Sequence, residues 1–420
     1  MQIETNCPYG IHLHPDDFQL FLLLFADDIV LLSSTIGGLQ KQINELEKYC
    51  KETKLDVNMK KTKVITFKKG GKLSRHEKWF YRGNLIDSTS SYKYLGIYFT
   101  NHLTWSTHAE YASLQAQKVL IGILKNLKIL GDLNLSSFFR IFDVKIAPIL
   151  LHGSEIWGTH RFEQIAKVHL LACKKFLGVK MSTPNVMVYG ECGRHPLFID
   201  CQIKVIKYWL RLLTMPSYRL PRKCYEMMLL YDKNGHTNWA TRVKELLFST
   251  GFGNLWYEQN VDLPSIFISS FSQRLKDIYQ QNWLEKLSLS TKCEYYLAVK
   301  TYINTEYYLS CVTVKKFRVS LARFRCSSHD LWIEKGRYFN IKREERLCRS
   351  CSNNAVENEY HFLFICPLYN DLRIKYLNEY YYVHPTLDKF SSLLQCNNVN
   401  TIQNLAMFIY YAMKLRKDKI

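Results

Sequence analysis

Two short apolar runs near the N-terminus enclose an acidic dipeptide. Residues 20–25 are leucine and phenylalanine, residues 29–32 are aliphatic, and Asp27 and Asp28 lie between them. Short apolar runs in this arrangement predict two β-strands joined by a tight turn, with both carboxylates at the rim of a buried hairpin. Charge buried there requires a neutralising cation, and adjacent carboxylates suit Mg²⁺. The alternative is an exposed acidic turn without a ligand.

The rest of the first hundred residues mixes helix and strand patterns. Apolar positions recur at helical spacing from Leu39 to Cys50, and the hydroxyl residues at 33–35 are suited to cap that helix. Residues 64–67 predict a strand, and residues 92–100 predict a second one that Gly96 interrupts.

Helical patterns dominate the chain after about residue 103. A helix is predicted to end at Gly178, and residues 200–320 are mostly helical with no interpretable motif. Residues 321–375 are richer in cysteine, histidine and arginine, and residues 401–420 predict one last amphipathic helix with basic residues at its end.

Composition narrows the class of protein. The 420 residues carry a net charge of +20, which indicates a polyanionic partner such as nucleic acid, although a generally basic surface is the alternative. Thirteen scattered cysteines do not form a disulfide framework, so a reducing compartment, cytoplasm or nucleus, is expected. No apolar run approaches the roughly 20 residues of a membrane span.

Several short motifs follow the acidic hairpin in a definite order. They are Leu55 and Asn58 with Lys61, Thr62 and Lys63, then Tyr94-Leu95-Gly96, the segment 147–158, Leu177-Gly178-Val179, Thr183-Pro184-Asn185, Tyr189-Gly190-Glu191 and Gly193-Arg194. In this order and spacing the chain resembles the reverse transcriptase of non-LTR retrotransposons, from the Asp-Asp hairpin of the palm onward. The resemblance covers most of residues 20–375 and is weakest across 200–300.

The resemblance implies an RNA-directed DNA polymerase that uses two-metal nucleotidyl transfer on an RNA template, a DNA primer or target and dNTPs. Asp27 and Asp28 match the palm residues that bind Mg²⁺. Lys61 or Lys63 matches a segment near the departing pyrophosphate, with a solvated lysine cluster as the alternative. Tyr94 and Gly96 match the hairpin that supports the primer end; here an ordinary strand bulge is the alternative.

A second constellation lies near the C-terminus. Cys348, Cys351, His361 and Cys366 have the spacing C-x2-C-x9-H-x4-C. Two cysteines at this separation can form a knuckle about a metal, and the distal histidine and cysteine complete a tetrahedral Cys₃His set that suits structural Zn²⁺. Free cysteines in a small core are the alternative. Similar segments lie downstream of the polymerase in the retroelement proteins that this chain resembles.

Basic and aromatic residues alternate just before this constellation. Arg318, Arg323 and Arg325 are our predicted phosphate contacts, because this pattern suits RNA or single-stranded DNA. The alternative is an amphipathic helix with a solvated basic face.

We therefore predict an α+β fold with a partial palm, a small antiparallel sheet with helices, at residues 1–100. A helical thumb-like region at 101–195, a helical connector at 196–320, a basic and zinc-knuckle-like region at 321–375 and a helical tail at 376–420 follow.

The resemblance also implies fingers and another metal-binding aspartate before the hairpin. Only 19 residues precede Leu20, and Asp16 and Asp17 predict a turn. We therefore expect a truncated retroelement copy or a partial gene model with little or no polymerase activity alone. The alternatives are a zinc-containing RNA- or DNA-binding module and an inactive relic.

Overall fold

The computed structural model describes residues 9–13, 18–68, 70–71, 77–130 and 132–419. The chain forms two compact units, each built from three segments. Unit 1 comprises Met1–Ala112, Leu151–Phe162 and Cys201–Phe271, and unit 2 comprises Ser113–Leu150, Glu163–Asp200 and Ser272–Ile420. The turn predicted at Asp16 and Asp17 lies outside the described residues.

The described strands pair as antiparallel hairpins of two strands each. They are β1 (Ile11–Leu13) with β2 (Phe18–Leu20), β3 (Leu22–Phe25) with β4 (Asp28–Leu31), β5 (Phe80–Tyr81) with β6 (Asn84–Leu85), and β7 (Ser91–Tyr94) with β8 (Ile97–Thr100).

Helices account for most of the remaining structure. The α-helices of the first half are α1 (Ile36–Thr53), α2 (Ser106–Leu130), α3 (Leu135–Ile141), α4 (Ala147–Leu150), α5 (Ser154–Trp157), α6 (Glu163–Leu177), α7 (Asn185–Cys192) and α8 (Phe198–Leu213). Those that follow are α9 (Leu220–Lys233), α10 (Trp239–Ser249), α11 (Gly253–Glu258), α12 (Pro264–Ser288), α13 (Glu294–Val299), α14 (Tyr308–Cys311), α15 (Lys315–Arg325), α16 (Trp332–Tyr338), α17 (Asn370–Tyr376), α18 (Glu379–Tyr382), α19 (Leu387–Leu394) and α20 (Val399–Lys419). Short π-helical turns occupy Phe142–Ile146 and His361–Ile365, and 3₁₀ turns occupy Arg343–Glu345 and Pro367–Tyr369. None of the helices in the described ranges is long and apolar enough to cross a bilayer.

Helix α1 forms where its pattern predicts. The Thr35 side chain caps it by accepting a hydrogen bond from the Gly38 amide at 3.1 Å. Ile43 then packs with Trp79 and Tyr81 in a small core of unit 1, against which Leu31 of β4 also packs. This core anchors the base of the acidic hairpin.

Two strand predictions need correction. The strand predicted at residues 64–67 is reduced to a single bridge, between Val64 and Ser88, because the neighbouring segment pairs with it at that point only. The strand predicted at residues 92–100 is instead a hairpin, β7–β8, because Leu95 and Gly96 both adopt positive φ and reverse the chain. The chain is thus mixed and largely helical, with small antiparallel sheets.

The predicted C-terminal helix is confirmed as α20. Its residues Leu405, Phe408 and Ile409 are buried in unit 2, where α20 packs against α15. A predicted helix end is confirmed as well: α6 stops at Leu177, and Gly178 follows at φ +67.

Candidate functional site

The acidic dipeptide lies at the tip of the β3–β4 hairpin. Phe25 pairs with Asp28 in the register, so Ala26 and Asp27 form a two-residue turn, with Ala26 at φ +51. The predicted tight hairpin is confirmed. It holds the two carboxylates on consecutive residues of a short, well-defined turn.

The hairpin tip is exposed, and the prediction of a buried hairpin was wrong. Leu24 is 50% exposed and Phe25 is 60% exposed, whereas Leu31 at the other end packs on the core of unit 1. The reason is that only the base of this two-stranded sheet is covered. In the described ranges, Asp27 and Asp28 are exposed and neither forms a salt bridge. Both carboxylates are therefore available to a cation from water.

The two candidate lysines lie in the segment after α1. The backbone amide of Lys61 donates to the Asn58 carbonyl at 3.0 Å, which closes a turn. The Lys63 ammonium pairs with the Asp87 carboxylate at 2.6 Å. Within the described residues neither lysine forms an ion pair or hydrogen bond with Asp27 or Asp28. Their role near pyrophosphate stays a prediction.

Tyr94 and Gly96 lie at the end and turn of the β7–β8 hairpin. Gly96 has φ +86, and a Cβ added there would come within 2.9 Å of His152 Nε2. The same imidazole nitrogen lies 3.1 Å from the Leu95 carbonyl. The glycine therefore permits both the turn and the close approach of a histidine ring. Primer support by this hairpin stays a prediction.

The structure brings together all four members of the Cys/His constellation. Their ligand atoms lie within 4.8 Å of one another, with 3.9 Å between the sulfurs of Cys348 and Cys366 and 3.5 Å between Cys351 Sγ and His361 Nε2. A tetrahedron with metal–sulfur bonds of about 2.3 Å has edges of about 3.8 Å. The observed separations therefore match a four-coordinate Cys₃His centre.

Local structure explains how four residues from different places converge. The Cys348 amide donates to the Ala355 carbonyl at 2.8 Å, which folds the first two cysteines onto a knuckle. Asn358 Oδ1 accepts from the His361 amide at 2.8 Å and orients the next turn. The Cys366 amide then donates to the His361 carbonyl at 2.9 Å, so histidine and final cysteine stay adjacent.

Hydrogen bonds within the cluster shift the pKa values of its thiols in opposite directions. The hydrogen bond between the thiols of Cys348 and Cys366 lowers the pKa of Cys348 to about 3 and raises the pKa of Cys366. The Cys348 thiol therefore loses its proton first, and zinc binds cysteine in that thiolate form.

Two buried arginines hold the region around the cluster. Arg373 Nη2 donates to the Cys366 carbonyl at 3.0 Å, and its Nε donates to the Leu363 carbonyl at 2.8 Å. Arg416 of α20 forms a two-pronged ion pair with Glu357 between the knuckle and His361. Sequence reasoning missed these residues, because nothing in their local pattern distinguishes them from surface arginines.

The predicted phosphate contacts on α15 separate into two groups. The Arg318 guanidinium is buried and pairs with Asp132, and the Arg325 guanidinium is buried and pairs with Glu191 at 2.6 Å. A buried arginine that is paired with a carboxylate cannot contact the phosphates of a ligand, so the prediction of phosphate contact was wrong for Arg318 and Arg325. Arg323 is exposed, although its Nε donates to the Gly178 carbonyl at 2.6 Å.

Comparison with known proteins supports a retroelement origin. Residues 4–99 match the family of reverse transcriptases (RNA-dependent DNA polymerases), a range that includes Asp27 and Asp28. The chain is 29% identical over 163 residues (37% of its length) to the probable RNA-directed DNA polymerase from transposon BS of Drosophila melanogaster. It is 27% identical over 172 residues, 38% of its length, to a transposon-derived protein of Caenorhabditis elegans.

A third relative is the RNA-directed DNA polymerase from mobile element jockey of Drosophila melanogaster, 22% identical over 165 residues and 38% of this chain. These matches span 18% of each Drosophila polymerase and 57% of the C. elegans protein. The exposed acidic hairpin thus lies inside the matched reverse transcriptase range. By these matches the chain resembles the reverse transcriptases of non-LTR retrotransposons.

Proposed function

We propose that this chain is part of an RNA-directed DNA polymerase, with residues 1–100 as a partial palm and the helices after it as a thumb-like region. The observation that carries the proposal is the position of the Asp27-Asp28 hairpin within the residues that match the reverse transcriptase family. The substrates are an RNA template, a DNA primer or target and dNTPs.

Asp27 and Asp28 would hold Mg²⁺ at the exposed tip of the hairpin, where the cation keeps part of its hydration shell. Bound there, the metal supplies Lewis-acid activation of the primer 3′-hydroxyl and charge stabilisation on the leaving group. In the reaction a bond forms between the 3′-oxygen and the α-phosphorus, the bond to pyrophosphate breaks, and the hydroxyl proton is released. Lys61 or Lys63 would stabilise the pyrophosphate charge.

The proposed activity of the chain alone is weak. Among the described residues, the Cys₃His cluster is the group in which three or more potential metal ligands lie close together. Asp27 and Asp28 belong to no such group, so no third described ligand side chain lies close enough to share a cation with both of them. Two carboxylates hold Mg²⁺ less firmly than a fuller set, and they fix its geometry less well.

Primer extension on an RNA template with Mg²⁺ tests the polymerase proposal. We expect at most slow extension that disappears in Asp27→Asn and Asp28→Asn and persists in the exposed control Asp371→Asn. Extension that is equally strong in all four proteins would point to a contaminating polymerase and contradict our assignment of the hairpin. Robust templated extension by the unmodified chain would contradict the proposed weakness.

We also propose that Cys348, Cys351, His361 and Cys366 hold a structural Zn²⁺. The four ligands leave no open position for a reacting water, which is typical of structural rather than catalytic zinc. Metal analysis of the purified chain tests this assignment, with one zinc per chain expected and none in Cys348→Ser.

The second candidate function is a nucleic-acid-binding module in which the hairpin is only scaffold. The closed Cys₃His geometry and the net charge of +20 favour it. Binding of RNA or DNA would then survive Asp27→Ala with Asp28→Ala, weaken steeply with salt and fail when Cys348 and Cys351 become serine. A complex that is insensitive to salt would exclude this function.

A further inference from the structure

Four aromatic side chains form a continuous row across three helices of unit 2. Phe317 of α15 lies 5.3 Å from the ring of Tyr410 and 6.0 Å from that of Tyr411, both on α20. Tyr376 of α17 stacks on Tyr411 with 5.8 Å between ring centroids and 9° between ring planes. We call Phe317, Tyr376, Tyr410 and Tyr411 the aromatic row.

The aromatic row differs from the core that lies beneath it. Phe324 of α15 and Phe408 of α20 are 1% and 0% exposed, whereas all four rings of the row keep partial exposure. Within the described residues none of the three tyrosine hydroxyls of the row donates to or accepts from another protein group. The three hydroxyls are also not among the described polar atoms that are buried without a partner, so they are open to water.

Lysines flank this row without carboxylate partners. Lys316 Nζ lies 5.0 Å from the Phe317 ring centroid and 5.3 Å from that of Tyr410. Lys375 Nζ lies 5.3 Å from the Tyr376 centroid. Lys414 follows Tyr410 by four residues, so it lies one turn further along the same face of α20. All three are exposed, and no salt bridge involves them in the described ranges.

We propose that the aromatic row and its three lysines bind single-stranded nucleic acid. Unpaired bases present π faces that stack on partly exposed rings, and the ammonium groups beside those rings can pair with the phosphates of the same strand. Duplex bases are already stacked and cannot use the rings. The inference rests on the proposed nucleic-acid substrate, but it requires neither the Asp27-Asp28 hairpin nor catalysis.

Fluorescence anisotropy with the full chain tests the proposal. The probes are labelled oligouridylate, labelled oligothymidylate and a blunt DNA duplex of the same length. Tyr410→Ala combined with Tyr411→Ala should weaken binding of both single strands by about tenfold and change duplex binding much less. Tyr257→Ala, at a 74% exposed tyrosine of unit 1, is the matched control and should bind as the unmodified chain does.

Lysine variants provide an independent measurement if the tyrosine pair destabilises α20. Lys316→Gln with Lys414→Gln should weaken single-strand binding and reduce the magnitude of the slope of log affinity against log salt by about 1.4, whereas Lys207→Gln should change neither. Unchanged single-strand affinity in both double variants, or equal loss for single strands and duplex, would overturn the proposal.

Failure of this proposal is distinguishable from failure of the polymerase assignment. The aromatic-row variants are read by binding alone, and the Asp27→Asn and Asp28→Asn variants are read by extension. If the chain binds single strands through the aromatic row but does not extend primers, this inference is supported and the polymerase assignment of the Asp27-Asp28 hairpin is not. If RNA binds and DNA does not, the strand recognised at the row is RNA.

Discussion

Arg416 and Glu357 form a bidentate ion pair in the interior of unit 2, with Nε–Oε1 and Nη2–Oε2 distances of 2.7 Å each. Glu357 Oε2 also accepts a hydrogen bond from the Trp332 amide at 2.6 Å. The pair therefore ties the last helix, α20, to the segment between the two halves of the Cys₃His cluster and to the start of α16.

Loss of one member of this pair should destabilise unit 2 strongly. We expect Arg416→Met to lower the free energy of unfolding by about 3–5 kcal/mol, because it leaves the Glu357 carboxylate buried without a counter-charge. The control is Arg242→Met, which breaks an exposed pair with Glu245 and should cost about 0–1 kcal/mol. Denaturant unfolding measures both, and equal losses would contradict the argument.

Removal of the proposed zinc should lower the temperature at which the C-terminal region unfolds. Chelation of zinc, or Cys351→Ser, is expected to lower the apparent Tm, since a metal at about 1,000 times its Kd stabilises the native state by about 4 kcal/mol. Cys224→Ser changes a cysteine outside the cluster and should retain one zinc per chain. Calorimetry with metal analysis checks the prediction. A chelator-treated chain with unchanged Tm would show that the cluster does not hold a stabilising metal.

Gly96→Ala should separate backbone strain from steric clash. Alanine at Gly96 must adopt φ +86 and would also bring its Cβ within 2.9 Å of the His152 ring. Gly83, in the β5–β6 turn, has φ +77 with open space around it. We expect Gly83→Ala to cost about 1 kcal/mol and Gly96→Ala about 1–3 kcal/mol more, measured by denaturant unfolding.

A double variant tests how much of the cost of Gly96→Ala comes from the clash with His152. His152→Ala combined with Gly96→Ala should recover the excess over Gly83→Ala, because the ring that meets the new Cβ is gone. If the double variant loses as much unfolding free energy as the two single variants together, the excess cost of Gly96→Ala does not come from the clash with the His152 ring.

Buried His108 should make unit 1 sensitive to mild acid. Burial lowers the pKa of His108 below its usual 6.5, and the neutral ring accepts from the Tyr98 amide at 3.4 Å while Nε2 donates to the His152 carbonyl at 3.3 Å. As pH falls through about 6.5, the unfolded chain takes up a proton that native His108 does not, so stability decreases until the native pKa is passed.

His108→Gln removes that titration and should flatten the decline of unfolding free energy between about pH 7 and pH 5.5 relative to the unmodified chain. Chemical unfolding at a series of pH values measures the difference. Parallel pH profiles for the two proteins would exclude His108 as a source of acid sensitivity.

The sequence predicts features that depend on neighbours in the chain. The β3–β4 turn, the Thr35 cap of α1 and the spacing of Cys348 with Cys351 are all local, and the structure contains each of them. The convergence of His361 and Cys366 on the same point follows from ligand chemistry applied to that spacing.

Features that depend on distant partners could not be predicted in this way. Arg318 and Arg325 belong to a basic segment that resembles a phosphate-binding surface. Their partners, Asp132 and Glu191, lie 186 and 134 residues away in the chain. The aromatic row was hidden for the same reason, because its rings come from α15, α17 and α20.

The alternation of the two units along the chain has a consequence during synthesis. Unit 1 needs its last segment, Cys201–Phe271, and by then the first two segments of unit 2 have already been made. Neither unit can therefore complete its fold as the N-terminal part of a nascent chain in the way that consecutive domains do. The early segments of each unit therefore keep apolar surface exposed until the later segments of that unit have been synthesised. We expect dependence on chaperones to increase with the time that this takes. We also expect pauses in translation before Phe271 to favour aggregation.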